Sequence, residues 1–310
     1  MSTTHHHRGF LITVAWTLAL LFLGSVVHAT ESSLACPDWP TCHGTMMPEM
    51  SGGVFWEHLH RLVAGGLVLI FIATLVVGWK PMADRPALRR WGLAGVGLLV
   101  VQSVFGGLTV LYRLPDAVST THLTLAFLFL TLATVLAVAT DPRLGERTPL
   151  DRGSVRLAVV AAGATFVQSV LGAAVRHTDA GLVCPDVPTC LGRWVPPLET
   201  ATVTLHFAHR VTALVVVALV AALAWHVVRR HAPAADRMLA VAALGAVLLQ
   251  VGLGVLSVTS RLAVPPVSLH TLVAALLLTL LVTISARSWR RMPEEAPQVS
   301  TPSAAGAHGG

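Results

Sequence analysis

The sequence predicts an all-α integral membrane protein whose eight transmembrane helices form two pseudo-twofold-related four-helix bundles. Three observations predict it. Of 310 residues, 54% are hydrophobic and only 12% charged, with a mean hydropathy of +0.72; a soluble domain carries about twice that charge. Eight stretches stay apolar for the roughly 20 residues that a helix needs to cross the hydrocarbon. Finally, most landmarks of the first half recur in the second at an offset of 148 residues.

In order, the spans cover 10–29, 55–79, 91–111, 118–139, 155–175, 201–228, 238–259 and 267–286. The first is read as a spanning helix and not a cleaved leader. Its apolar run is long for a leader, and His28-Ala29-Thr30 is a weak cleavage site. Lys and Arg decide the orientation. Segments 80–90, 141–156 and 229–237, the C-terminal tail and Arg8 hold fifteen of them, against four (Arg113, Arg176, Arg193, Arg261) on the other side. That asymmetry predicts a multi-pass protein of the cell membrane with both termini cytoplasmic. It also explains the net charge of +6 as a topology signal, so the expected partner is the lipid bilayer and not a nucleic acid. The tail 292–310, rich in Pro, Ala, Gly and Ser, is expected to be disordered.

The same orientation places all four cysteines in extracytoplasmic loops. These read ACPDWPTCHG over 35–44 and VCPDVPTCLG over 183–192. An oxidising compartment permits disulfides Cys36–Cys42 and Cys184–Cys190, each locking a short local hairpin. The offset of 148 also relates Gln102 to Gln250, Arg113 to Arg261 and His122 to His270; with one residue more, His60-Arg61 maps onto His209-Arg210. Residues 1–150 and 151–310 therefore form two copies of a four-span unit, both inserted the same way up. Spans three, five and seven carry Gln102-x3-Gly106, Gln168-x3-Gly172 and Gln250-x3-Gly254, while span one has Leu20 with Gly24. Small residues at that spacing let a helix or a flat ligand approach the backbone closely.

The even spans repeat a histidine. His60, His122, His209 and His270 each fall within about two turns of the outer end of their spans, so the four imidazoles share one depth. A lone membrane histidine is as often a hydrogen-bonded core residue as a ligand. Four at repeated places, without an acidic cage or free cysteines to suit zinc, point to axial ligation of two heme irons, by His60 with His122 and by His209 with His270. Arg61, Arg210, Arg113, Arg261 and Arg176 lie near that layer and are candidates for the heme propionates; snorkelling to lipid headgroups is their alternative. Glu57 precedes His60 by three residues and shares its helix face, whereas His206 stands in its place in the second copy. A carboxylate beside a macrocycle can act as a general base or stabilise developing positive charge. The first half is thus expected to do chemistry and the second to relay electrons. His58, His43 and His177 are expected at a solvated interface, not as ligands.

Glu57-His58-Leu59-His60-Arg61, His122, His209-Arg210, His270 and the CPDWP cysteine loop together resemble the heme A synthase family, over about 10–286. The departures are Val187 where the first loop has Trp39, and His28 where the second copy has Arg176. The resemblance implies oxidation of the C8 methyl of heme O to the formyl of heme A for terminal oxidase assembly. It implies heme O in the Glu57/His60/His122 half and a heme b cofactor in the His209/His270 half. It also implies dealings with a heme O synthase, oxidase assembly proteins and an electron donor or acceptor. Two alternatives stay open at this point: a bis-histidine di-heme cytochrome b relaying electrons, and an outer-face thiol–disulfide oxidoreductase.

Overall fold

The computed structural model describes residues 3–146 and 150–289. Arg147, Arg290, Arg291 and the tail expected to be disordered lie outside them. Each predicted span is a helix: α1 (Thr3–Ala29), α2 (Gly52–Gly78), α3 (Pro86–Leu111), α4 (Asp116–Ala139), α5 (Arg152–His177), α6 (Ala201–Arg229), α7 (Ala234–Thr259) and α8 (Val264–Trp289). All eight are long and apolar enough to cross a membrane. Among the described residues no strand forms; each cysteine loop holds a single bridge, Cys42 with Thr45 and Cys190 with Arg193.

Hydrocarbon offers backbone and hydroxyl groups no water, so their partners must be internal. Buried Thr13, Thr17, Thr134 and Thr165 each donate to the carbonyl four residues back, which keeps these hydroxyls satisfied without a second helix. Packing repeats by half. In the first, α1 lies against α2 and α4, and α3 against α4; in the second, α5 lies against α6 and α8, and α7 against α6 and α8. The halves meet through α1, α4, α5 and α8. Each half has its own apolar core. The first is built on Phe10, Phe71 and Phe129, whose rings meet edge to face at 6.1 and 5.2 Å, and it takes in Ala275, Leu278 and Val282 of α8. The second is aliphatic, with Val220, Leu223, Val227, Leu277, Leu281 and Ile284 at its centre.

One departure from the repeat bears on the site. Helices α6 and α7 pack closely, but α2 and α3 scarcely touch. Where they do meet, Gly95 takes the Phe71 ring and Gly92 takes Leu75, at the end away from the cysteine loops. At that same end of the second half, buried Asp236 of α7 pairs with Arg287 of α8 at 3.2 Å.

A methyl at Gly95 would already lie 2.5 Å from Phe71 Cζ and 3.3 Å from Leu132. Gly95→Leu is therefore expected to cost about 1–3 kcal/mol through overpacking, read as a lower midpoint of thermal inactivation in detergent. Gly97→Leu, where nothing lies within 4 Å, is the matched control and should be near neutral.

Candidate functional site: four imidazoles seated on four glycines

At the cysteine-loop end of the bundles, each even-numbered helix lays its histidine ring against a glycine of the helix before it. A methyl built on Gly24 of α1 would lie 2.9 Å from His60 Cε1; on Gly106 of α3, 3.0 Å from His122 Cε1. The corresponding values are 3.0 Å for Gly172 of α5 against His209 and 3.1 Å for Gly254 of α7 against His270. Any side chain there would occupy the space of the ring. The small residues read from the sequence as a way to bring helices or a flat ligand close are in fact imidazole seats.

The seats hold the rings in two pairs. His60 and His122 are seated in the first half and His209 and His270 in the second, all toward the cysteine-loop end. Hydrogen bonds add orientation. His122 Nδ1 lies 3.1 Å from the carbonyl of Gln102, and only an N–H can satisfy a carbonyl, so Nε2 carries the lone pair a metal requires. The Gln168 amide reaches the His209 carbonyl at 2.9 Å and Nδ1 at 3.0 Å, and Thr212 donates to its oxygen. Other polar atoms here are buried without a hydrogen-bond partner among the described residues: His60 Nδ1, Gln102 Oε1 and Gln250 Oε1. Glycine seats and unpartnered polar atoms converging on paired, half-buried imidazoles fit a flat, iron-bearing guest.

Each cysteine loop is a covalently closed hairpin over this layer. Cys36 is bonded to Cys42 and Cys184 to Cys190, as the spacing suggested. Inside the first loop, Asp38 accepts from the Thr41 hydroxyl and from the backbone N–H of His43 and Gly44 at 2.6 and 2.9 Å. Asp186 repeats this with Thr189, Leu191 and Gly192 at 2.5, 2.8 and 2.8 Å. The Thr41 and Gly44 donors hold the Asp38 carboxyl down at about 2, and Thr189 and Gly192 do the same for Asp186.

The loops are gripped from the helices by arginine. Arg61 donates to the carbonyls of Asp38, Thr41 and Cys36 at 2.7, 2.6 and 3.2 Å; Arg210 donates to those of Asp186, Thr189 and Cys184 at 2.9, 2.7 and 2.6 Å. The sequence suggested propionates for this pair; the structure puts their guanidinium groups on loop backbone. Glu57, 4% exposed, joins the first grip, accepting from Cys36 N–H at 2.8 Å and from Arg61 at 2.6 Å. In its place in the second half, His206 bonds the Ala180 carbonyl at 2.7 Å. The Trp39 ring rests on Gly107 of α3, where a methyl would come within 2.8 Å, so the first loop also reaches across from α2 to α3.

The remaining predicted residues fall into two groups. Arg113 and Arg261 are exposed, just beyond the ends of α3 and α7. Arg176 is drawn into the seam between the halves, where it donates to the Ser25 hydroxyl and carbonyl at 2.9 and 2.8 Å; Ser25 in turn bonds Thr271 at 3.1 Å. His177 lies in that seam too, edge to face with His28 at 5.4 Å and 3.3 Å from the Thr120 hydroxyl. The solvated interface expected for His43 holds, for His43 is exposed, but His177 is half-buried in the seam and His58 is buried outright. Their surroundings come from helices distant in sequence, so no local pattern marks them.

The chain has known relatives along most of its length. A family profile described as cytochrome oxidase assembly protein (COX15-CtaA) matches residues 8–53 and 49–282. A heme A synthase of Shewanella oneidensis is 29% identical, covering 90% of this chain and 96% of its own length. One from Symbiobacterium thermophilum is 33% identical over 69% of this chain and 72% of its own. A third, from Lysinibacillus sphaericus, is 27% identical over 89% and 94%.

The loop carboxylates set a pH dependence. A carboxyl whose folded pKa is depressed stabilises its structure above its ordinary value near about 4 and ceases to as pH falls through the folded value. Both loops should therefore loosen between about pH 4 and pH 2, seen as lost hydrogen-exchange protection, corrected for intrinsic rates, at His43, Gly44, Leu191 and Gly192. Asp38→Ala should release the first loop alone at neutral pH. Unchanged protection in either experiment would refute the turn's dependence on its carboxylate.

Proposed function

Because the chain belongs to the COX15-CtaA family of cytochrome oxidase assembly proteins, we propose that it is a heme A synthase, an oxidoreductase that converts the C8 methyl of heme O to a formyl group. The observation that carries this reading is the repeated seating of four imidazoles on four glycines, once per odd–even helix pair. Two flat macrocycles with two axial ligands each match that geometry.

The halves divide the work. The first, with His60 and His122, takes heme O as substrate, and three features favour it. Glu57 occurs only there, held in place by Arg61 and Cys36 N–H. The sparse contact between α2 and α3 leaves a side through which a long lipid-soluble tail reaches the bilayer. Trp39 on Gly107 spans that side at the loop end, a lid whose place in the second copy is taken by Val187. Removing hydrogen from a methyl carbon releases protons as well as electrons. Glu57, one helical turn from His60, is the carboxylate placed to accept a proton, with Arg61 and the Cys36 N–H fixing its position.

The second half, with His209 and His270, holds heme b, a one-electron redox group when bound. Its α6–α7 side is closed, and His206 replaces the carboxylate, as suits a resident cofactor that reacts only by electron transfer. Arg176 stands close enough to interact electrostatically with His270, and it is the guanidinium best placed for a heme b propionate. Arg113 and Arg261 serve as outer partners for the propionates of the two macrocycles. We place the cysteine loops on the extracytoplasmic face of the cell membrane and both termini in the cytoplasm, following the fifteen-to-four distribution of basic residues. An electron acceptor, a heme O synthase and terminal oxidase assembly proteins complete the proposed set of partners.

Pigment analysis of the purified protein, supplied with heme O, is the test. His209→Ala or His270→Ala should remove heme b, and Gly172→Leu should lower its content roughly tenfold or more without touching a ligand, because it displaces the ring that ligates. Glu57→Gln should leave heme b in place and slow conversion of heme O by roughly 100-fold or more. Normal turnover in Glu57→Gln would remove Glu57 from the reaction, and no conversion of heme O by the wild-type protein would favour the electron-relaying cytochrome b instead.

A further inference from the structure

Beside the first cysteine loop lies an imidazole that the chemistry above does not use. His58 is 3% exposed, and neither ring nitrogen has a hydrogen-bond partner among the described residues. Buried imidazoles are ordinarily satisfied, so the position calls for a guest. One of those nitrogens forms a group with the sulfurs of Cys36 and Cys42 in which all three atoms lie within 4.8 Å of one another. His58 precedes His60 by two residues, which puts the two rings on different faces of α2, so this cluster is separate from the iron-ligand layer. The second half is a built-in contrast. It has the same disulfide in the same turn, but Phe207 occupies the position of His58 and offers no third donor.

We propose that Cys36, Cys42 and His58 form a redox-gated metal site, which takes up a thiophilic d10 cation such as zinc(II) once the disulfide is reduced. The opening step is ordinary thiol–disulfide exchange with a dithiol reductant. One thiolate of the reductant attacks a loop sulfur, the S–S bond breaks and the other loop sulfur leaves as a thiolate. The second thiol of the reductant then displaces the mixed disulfide, so two electrons and two protons pass to the loop and the reductant leaves as its own disulfide. Cys36 and Cys42 give up those protons on binding the cation, and His58 binds as a neutral imidazole. Two thiolates and an imidazole are a donor set that zinc takes, with a fourth position left for water.

The site is wired to the candidate active centre. The Cys36 backbone donates to Glu57 through its N–H and accepts from Arg61 through its carbonyl. Exchanging the S–S bond for two metal–sulfur bonds changes the spacing of the loop at the residue that holds Glu57. The thiol state of this loop would therefore adjust the carboxylate, and the Cys184–Cys190 loop would stay a plain structural hairpin.

The test uses the full-length protein in detergent, reduced with a phosphine, given Zn2+, desalted, and assayed for retained metal against chelators of graded strength. The reduced protein should retain about one zinc per chain and lose it on reoxidation. Cys184→Ser with Cys190→Ser should retain it equally, Cys36→Ser with Cys42→Ser should not, and His58→Phe should bind at least about tenfold more weakly. Helical circular dichroism and monodispersity check the fold of each variant, with His58→Gln standing in if His58→Phe does not fold. Cd2+ in place of Zn2+ adds a thiolate charge-transfer band that His58→Phe should weaken at a fixed metal concentration. Equal zinc affinity with and without the imidazole, or no retention by the reduced wild-type protein, would overturn the proposal. None of these readouts depends on heme, so failure here would leave the heme A synthase reading untouched.

Discussion

An imidazole ring lying against bare helix backbone is the contact on which the rest of this structure depends. It recurs four times, on Gly24, Gly106, Gly172 and Gly254, and each time an odd helix provides the seat and the following even helix the ring. Apolar packing between membrane helices is weakly directional, because lipid is as good a neighbour as another side chain. What sets the separation within each helix pair at this depth is the thickness of one ring. The same contact fixes where the four histidine rings of these spans lie.

Over that layer, two nearly identical loops are held by the same devices: a disulfide, an aspartate receiving two backbone N–H groups, and an arginine taking three carbonyls. Their differences are concentrated where chemistry would differ. Glu57 is replaced by His206, His58 by Phe207 and Trp39 by Val187, and the Gly107 that receives Trp39 is replaced by Val255. A large residue facing a glycine in one copy has become two valines in the other. The side between α2 and α3 is loosely packed and that between α6 and α7 is closed. One scaffold thus carries two halves that differ in packing and in the polar groups around their histidines.

The halves are also physically joined. Ser25, Thr271 and Arg176 form a hydrogen-bonded chain across the seam, with His28, His177 and Thr120 beside it. Arg176 and His177, neighbours at the end of α5, both stand in that seam and tie α5 to α1 and α4.

The sequence by itself determined the eight spans, the repeat, the two cysteine pairs and the repeated histidine at one end of each even span. All of these follow from periodicity, apolar length and spacing, which are local or strictly repeated quantities. It marked Arg61 and Glu57 as functional, but it could not show that both grip the Cys36–Cys42 loop, because a guanidinium reaching carbonyls twenty or more residues away leaves no trace in spacing. Only the tertiary structure decided that the glycines seat imidazoles, that His58 is buried against a disulfide and that His177 belongs to the seam. It also decided that one bundle is loosely packed along a side where its copy is closed. The physical reason is common to all four: each depends on which side chain of another helix or loop arrives at a given place, and steric fit of that kind is settled in three dimensions.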